Sequence, residues 1–165
     1  MAVSFMLEVM RECRNFFEFS LEEGEFSLSG GEIGLRGAFI EATREYRPYR
    51  VGEYLLLTGS AGVDGLYAIS GADDGVYTLE GVNADEEWEG AVWALRIPRP
   101  FVALCAEIEA FHQGAGRPTA YTSEMVVGLH QWTRSLSKSG APIGWREVYS
   151  KSLAPYRRMF TMVRG

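Results

Sequence analysis

Gly59, Gly62 and Gly65 are the residues of this chain whose type and spacing come nearest to a phosphate-binding loop. Glycine lets backbone N–H groups approach an anion, and the N-terminus of a helix normally completes such a site. Here the glycines lie between two strand-like runs, and the sequence contains no Gly-Lys-Ser or Gly-Lys-Thr. We therefore interpret this segment as a turn between strands.

Four acidic residues lie close together in the predicted loop from Asn83 to Glu89: Asp85, Glu86, Glu87 and Glu89. Their carboxylates could bind a hard cation, but the segment lacks the alternating spacing and the central glycine of a calcium-binding loop. We interpret it as a solvated loop.

The histidines and cysteines do not form a metal-binding pattern. His112 and His130 are far apart in the sequence, and neither Cys13 nor Cys105 has a partner at CxxC spacing. Each cysteine falls on the apolar face of a predicted helix, which favours a buried thiol. The sequence predicts no metal and no cofactor.

Nucleophilic catalysis has no support in the sequence either. No serine has the Gly-x-Ser-x-Gly context of a nucleophile elbow, and no cysteine has neighbours that would lower its pKa. We predict that the protein is not an enzyme. An enzyme stays open as a third option, and a pocket with convergent, pKa-shifted groups would reveal it.

Four strand-like runs between residues 53 and 98 predict a compact antiparallel β-module. Asp64-Gly65 and Asp74-Gly75 provide turn signals between them. Curvature from the glycines favours an SH3-like barrel over a small open sheet. The four runs are Tyr54–Leu57, Leu66–Ile69, Val76–Leu79 and Ala91–Leu95.

Helices are predicted on both sides of this module. Apolar residues at spacings of three and four predict an amphipathic helix over Val3–Phe17. A second helix is predicted over Phe101–Phe111, after prolines that suit a first helical turn, and it should stop near Gly114. A third is predicted from Trp145, where Pro155 must kink it or begin another short helix.

Three further segments have weaker patterns. Alternation around Glu22-Glu23-Gly24 predicts a hairpin between 17–21 and 25–28, before a break at Gly30-Gly31. Residues 38–45 are interpreted as a short helix or an irregular excursion that Pro48 ends. Residues 123–135 alternate as a strand does and predict an extended arm.

The predicted fold class is therefore α+β. Helices pack with an inserted small antiparallel β-module, and an extended arm and a C-terminal helix follow. We divide the chain, a single structural domain overall, into residues 1–112 (first helix, β-module, second helix), 113–143 (arm and loop) and 144–165 (C-terminal helix and basic tail).

Composition and charge narrow the class of protein. A content of 47% hydrophobic and 13% aromatic residues is typical of a globular chain. No run reaches the roughly 18 to 20 apolar residues of a membrane span, and charges interrupt the N-terminus, so neither a span nor a signal peptide is predicted. Residues 1–112 hold 20 acids and 8 bases, whereas 113–165 hold 2 acids and 8 bases. This polarity suits assembly with an acidic surface or head-to-tail self-assembly, and it also fits proximity to DNA phosphates or a solvated face.

Three segments of the chain resemble the head–tail connector, or adaptor, proteins of tailed bacteriophages and prophages. The first is Leu7–Phe17 with the predicted hairpin after it. The second comprises Gly52–Ser60, Asp64–Tyr67 and Trp88–Pro98. The third is Pro118–Gly128, which contains Tyr121-Thr122-Ser123-Glu124, followed by Trp145–Arg158. Val63 precedes Asp64-Gly65 where related sequences tend to carry asparagine, and 129–132 replace a tyrosine-rich continuation.

The resemblance implies a structural virion protein that is assembled in the host cytoplasm. Copies would form a ring, commonly of twelve, between the portal protein and the next neck protein, and DNA would pass through the channel without sequence-specific binding. The residues assigned to portal binding are Trp145, Tyr149, Tyr156, Arg157, Arg158, Phe160 and Arg164. The residues assigned to an arm that bridges adjacent subunits are Tyr121, Ser123, Glu124, Val127, Leu129 and Trp132.

Two other readings stay open. A head-closure or tail-end protein of the same neck also forms a ring. A monomeric module could instead bind a peptide or small ligand in an aromatic groove of the β-module. The residues of that groove would be Tyr54, Tyr67, Tyr77, Trp88 and Trp93.

Overall fold

The computed structural model describes residues 3–114, 123–126, 130–133 and 144–158. It shows an α+β chain in which a closed six-stranded antiparallel β-barrel lies between short helices. The first half contains α1 (Val3–Cys13), β1 (Glu18–Ser29), β2 (Glu32–Gly34), β3 (Ala38–Ile40), β4 (Glu45–Arg47) and β5 (Tyr54–Thr58). Next come β6 (Gly65–Asp73), β7 (Val76–Leu79), β8 (Glu86–Leu95), α2 (Arg99–His112), β9 (Ser123–Val126), β10 (His130–Thr133), α3 (Trp145–Val148), α4 (Ser150–Leu153) and a 3-10 turn (Ala154–Tyr156).

The barrel closes in the order β1-β2-β7-β6-β5-β8. The β1–β8 ladder is its longest pairing and runs from Glu18 opposite Leu95 to Leu28 opposite Glu86. The four strands predicted from the sequence are confirmed as β5 to β8. The barrel is closed in strand order, but β2 pairs only with Leu28 and Ser29 of β1, so the preceding residues of β1 pair with β8 alone.

The predicted hairpin around Glu22-Glu23-Gly24 is wrong, because residues 18–29 form one strand. The apolar residues lie at odd positions up to Leu21 and at even positions from Phe26, and such a change is typical of a turn. The strand instead continues through this point and buries the Glu22 side chain. Gly24 pairs directly with Gly90 of β8. The barrel therefore begins at Glu18, well before the predicted start at Glu53.

Residues 38–45 are neither a helix nor irregular. β3 and β4 pair as a separate two-stranded sheet, with Phe39 opposite Tyr46. Pro48 follows this hairpin and not a helix. The predicted acidic loop is also shorter than expected, because β8 already begins at Glu86.

The first helix ends four residues before its predicted end. Arg14 adopts φ of 52°, and the N–H of Asn15 donates to the carbonyl of Met10, which closes the helix with a left-handed residue. Phe17 then leaves the helix axis and packs edge-on against Phe101 and Tyr156.

Two tight turns join barrel strands. Gly30 and Gly31 have φ of 57° and 85° between β1 and β2, and Asp74 and Gly75 have φ of 44° and 81° between β6 and β7. Both pairs have the two positive φ values that a type I′ hairpin turn requires. The Asp74-Gly75 turn was predicted from the sequence.

Two apolar cores meet at the barrel wall. The barrel interior is filled mainly by Leu28, Ile33, Tyr49, Leu55, Leu57, Ile69, Tyr77, Leu79, Trp88 and Val92. The second core packs α1, α2 and the C-terminal segment against the barrel and includes Met6, Met10, Cys13, Leu95, Phe101, Cys105, Ile108, Trp145 and Leu153. Both cysteines are buried free thiols, as predicted.

The C-terminal segment is more broken than one helix. The chain interrupts the helix at Tyr149, and Pro155 lies in the first residues of the 3-10 turn. The predicted extended residues include β9 and β10, which pair with each other as a hairpin in which Met125 lies opposite Gln131.

Candidate interaction surfaces

Charge is divided unevenly over the barrel. Residues 18–95 contain 16 acids and 4 bases, and all four bases are arginines within residues 36–50. We call residues 36–50, which include β3 and β4, the side hairpin. The side hairpin is therefore the one cationic segment on an otherwise acidic barrel sequence.

Carboxylates line the outward face of the β1–β8 ladder. Glu25 lies directly opposite Glu89, and Glu23 lies opposite Ala91. All three glutamates and Glu87 are exposed. Like charges directly opposite each other destabilise an antiparallel pair. None of the ion pairs found among the described residues involves these four carboxylates.

A groove of about 490 Å³ crosses this face, and we call it the acidic groove. Its lining is Glu23, Gly24, Thr58, Gly59, Glu89, Gly90 and Ala91. Two glutamates and three glycines belong to this lining, so carboxylates lie beside glycine backbone on an open face of the barrel.

Two of these glycines, Gly59 and Gly90, are required by the backbone. A Cβ on Gly90 would lie 2.2 Å from the carbonyl oxygen of Thr58, and a Cβ on Gly59, whose φ is 95°, would lie 3.0 Å from the Cα of Gly90. Strand packing therefore excludes a side chain at both positions.

The side hairpin exposes aromatic side chains next to a cation. Phe39 is 49% exposed and Tyr46 is 47% exposed, and their ring centroids lie 5.3 Å apart. The Arg36 guanidinium lies 5.5 Å from the Tyr46 ring centroid. Aromatic rings and arginine are the side chains that most often dominate protein interfaces.

A buried carboxylate fixes the side hairpin to the barrel. Glu22, only 7% exposed, accepts hydrogen bonds from the N–H groups of Arg36 and Gly37 at 3.1 and 2.9 Å and from the Tyr49 hydroxyl at 3.0 Å. A Cβ on Gly37 would lie 2.3 Å from the Arg47 carbonyl oxygen, so the two strands approach closely there. The hairpin is thus held in a fixed position against the barrel.

A second cavity, of about 610 Å³, lies beside the side hairpin. Glu53 accepts hydrogen bonds there from Arg47 at 3.1 Å and from Arg96 at 3.3 Å. The Arg96 guanidinium also covers the Phe19 ring at 4.4 Å. A single carboxylate thus pairs with two of the cations that line the cavity, and a net positive charge remains there.

The aromatic residues assigned to portal binding are mostly internal. Trp145 is 4% exposed and stacks edge-on with Phe5, while the Arg146 guanidinium covers its ring at 4.5 Å. Tyr149 packs against Phe111. Tyr156 packs against Phe101 at 5.0 Å. These side chains anchor the C-terminal segment to the helical core.

The two arginines that end the described C-terminal segment are exposed. Arg158 pairs with Glu18, and Arg157 lies 4.0 Å from Glu12. Burial alone would raise the pKa of Glu18, but hydrogen bonds from its own backbone N–H and from Arg158 outweigh burial and lower that pKa. Phe160 and Arg164, also assigned to portal binding, lie outside the described residues.

The residues assigned to the arm are only partly within the described chain. Ser123 and Glu124 lie in β9, and Trp132, opposite Glu124, lies in β10. Tyr121, Val127 and Leu129 lie outside the described residues.

The five aromatic residues of the alternative groove do not converge. Tyr77 and Trp88 are buried in the barrel interior, and Tyr67 packs against it. Tyr54 and Trp93 pack instead against the helical core. The barrel wall therefore separates these rings, and they fill two cores.

The glycine-rich turn that resembles a phosphate loop is already occupied by carboxylates. The N–H groups of Ala61 and Gly62 donate to Glu86 at 2.8 and 3.2 Å, and the N–H of Ser60 donates to Asp64 at 2.7 Å. The donors that an anion would need are thus already used. Across the described part of the chain, no group of three or more His, Cys, Asp or Glu residues is arranged to hold a metal ion.

Sequence reasoning missed the side hairpin and the acidic groove as surfaces. A signal was present, since every basic residue between 18 and 95 falls within 36–50. The pairing of Glu25 with Glu89 had no such signal, because it depends on residues 18–29 forming one strand.

In the described ranges of the chain, no helix has both the length and the apolar character needed to cross a membrane. No protein-family model matches this chain, and no curated protein matches it significantly.

Proposed function

We propose that this chain is a structural subunit of the neck of a tailed bacteriophage or prophage virion, a head–tail connector. Copies form a ring between the portal protein and the next neck protein. The observation that carries the proposal is that one subunit bears two unlike surfaces, a cationic aromatic projection and an acidic groove. Complementary surfaces on identical subunits allow head-to-tail contacts, which close into a ring when the rotation between subunits closes and otherwise form an open filament.

The architecture supports an assembly role. A small closed barrel, which we class as SH3-like, carries the side hairpin as a separate two-stranded sheet. The β9–β10 hairpin is a second separate sheet. Its position in the sequence matches the segment that the connector resemblance assigns to contacts between adjacent subunits.

Portal attachment belongs, in this proposal, to the exposed end of the C-terminal segment. Arg157 and Arg158 lie at that end, and the sequence continues with Phe160 and Arg164. Trp145 and Tyr156 act as anchors, because they pack in the helical core. Cationic and aromatic residues on a fixed base suit docking on another protein.

The charge of the body fits a channel through which DNA moves. Residues 1–112 hold 12 more acids than bases. DNA binding depends on cations that neutralise phosphates, so a wall with this charge lets the duplex pass without adhering. The protein would be part of the virion neck after assembly in the host cytoplasm.

Cosedimentation with portal rings tests the proposal, with the portal protein taken from the genome that carries this gene; a genome without a portal gene would itself contradict the proposal. A chain that lacks residues 159–165 keeps Tyr156 and its contact with Phe101, so its fold should be unchanged by circular dichroism. We expect the full chain to sediment with portal rings and the shortened chain to stay in solution. Equal binding of both chains would contradict the portal role of the tail.

The same mixture separates the alternatives. A full chain that ignores portal rings but sediments with the tail components encoded nearby would be a head-closure or tail-end ring. A chain that binds neither and stays monomeric would be a binding module instead.

A further inference from the structure

We propose that the side hairpin of one subunit docks in the acidic groove of the next copy of this chain. The inference deepens the proposed function and rests on its ring assembly. The two surfaces share no lining residue, so each subunit can give its hairpin to one neighbour and accept a hairpin from the other. This contact is distinct from the one assigned to the β9–β10 hairpin.

Charge complementarity selects a second copy as the occupant. Arg47 of the side hairpin pairs with Glu53, and Arg36 lies 3.8 Å from Glu22 with 66% of its side chain exposed. Arg44 and Arg50 are exposed and join none of the ion pairs of the described residues, so they are the cations that the hairpin presents. The outward face of the β1–β8 ladder presents Glu23, Glu25, Glu87 and Glu89. Opposite potentials on two patches steer association and fix its register.

Shape supports the same contact. The hairpin projects Phe39 and Tyr46 as a half-exposed ring pair, with Arg36 beside Tyr46. The acidic groove offers glycine backbone beside Glu23 and Glu89. The rings can lie on this backbone while a guanidinium donates to one of the two carboxylates, and hydrogen bonds between charged groups are strong.

Repulsion between two glutamates at this face favours the binding of a cation there. Glu25 and Glu89 lie directly opposite each other, and neither joins an ion pair in residues 3–114 or 144–158. Their repulsion is relieved when an arginine lies between them. The neighbouring hairpin supplies the exposed Arg44 at its tip and the exposed Arg50 at its base.

Paired charge reversal tests the contact. One variant reverses the hairpin with Arg44→Glu and Arg50→Glu, and a second reverses the groove with Glu23→Arg and Glu89→Arg. We expect each to weaken self-association by about tenfold or more in sedimentation velocity over a concentration series, because close charge pairs across an interface couple strongly. A mixture of the two, or one chain with all four changes, should regain most of the lost affinity.

A matched control and a variant of the aromatic pair keep the test independent of folding. Glu32→Arg with Glu80→Arg reverses the same number of exposed carboxylates away from the groove and should leave association unchanged. Phe39→Ser with Tyr46→Ser should lower association with no loss of secondary structure, because both rings are half exposed. Charge reversal without any effect, or without rescue in the mixture, would overturn the proposal.

Cross-linking on the portal separates this inference from the function. A chain with Ile40→Cys and Ala91→Cys should give trimers and longer chains with a bismaleimide, whereas either change alone should not. Cross-links between copies that do not bind the portal would support the contact and contradict the connector function. Copies that bind the portal but never cross-link would support the connector function and contradict the contact. Charge reversal in the hairpin that leaves self-association unchanged and lowers only the salt-dependent retention of the protein on DNA would also overturn the contact.

Discussion

Tyr49 donates a hydrogen bond from its hydroxyl to a carboxylate oxygen of Glu22 at 3.0 Å. The two residues are 27 positions apart, and their contact joins the end of the side hairpin to the first barrel strand. Burial is the main cause that raises the pKa of Tyr49, so its hydroxyl remains a donor at neutral pH. The projection that we assign to ring assembly is thus attached through a buried hydrogen-bond network.

We expect Glu22→Leu to destabilise the fold by about 3 kcal/mol, because several buried donors then lose their acceptor. Tyr49→Phe removes one donor and leaves the other two in place, so it should cost about 1 kcal/mol. Urea denaturation measures both values. Equal costs for the two variants would mean that Glu22 does not organise the hairpin.

Glu89→Lys should stabilise the isolated subunit by a few tenths of a kcal/mol to about 1 kcal/mol, since it turns a like-charge cross-strand pair into an opposite-charge pair. The same change should weaken self-association, because it removes a groove carboxylate. Thermal denaturation gives the first effect, with Glu32→Lys as the matched control at another exposed strand position. A loss of stability would contradict the register of Glu25 with Glu89.

The two thiols should be inert in the folded protein. Burial, with a smaller contribution from Cys13, raises the pKa of Cys105 to about 12, and burial also raises the pKa of Cys13. The thiolate is the reactive form, so neither residue should react with a disulfide reagent at pH 8. Both should react in denaturant. Rapid reaction of the native protein would show that the helical core opens readily.

The pair of Glu18 with Arg158 should give a pH-dependent contribution to stability. The pKa of Glu18 is lowered in the fold below its unfolded value of about 4.3. Its contribution is therefore fully present above that unfolded value and is lost as the pH falls through the lowered pKa. We expect Arg158→Ala to cost less than about 1 kcal/mol at pH 7, since Arg158 is largely exposed, and to cost nothing in strong acid.

Arg146→Ala is a useful comparison for that measurement. Its guanidinium pairs with Glu8 at 2.7 Å and Glu12 at 3.1 Å on α1, so it ties the same C-terminal segment to a different element. A difference between Arg158→Ala and wild type that stays constant down to pH 2 would contradict the role given to Glu18.

Local signals were enough to predict the strands of the barrel that follow residue 53. Tyr54–Thr58 and Val76–Leu79 alternate cleanly between buried and less buried positions, and Asp74-Gly75 has the residue types that a two-residue turn needs. The prolines before Phe101 marked the start of the second helix for the same kind of reason.

The elements that were wrongly predicted are those whose conformation depends on residues far away in the sequence. From the local sequence Glu22 is typical of a turn, because the three donors that allow its burial belong to residues 36, 37 and 49. Gly24 is also typical of a turn from the local sequence, because its strand partner Gly90 is far away in the chain. The helix that was expected to reach Phe17 ends early because Phe17 packs against Phe101 and Tyr156.

Electron microscopy of the purified chain with the portal protein encoded near its gene tests the connector function most directly. The account predicts an added ring of density on one end of the portal, with one copy of this chain per portal subunit. It also predicts that the ring is lost when residues 159–165 are removed. Portal particles that look the same with and without the chain would contradict the central claim.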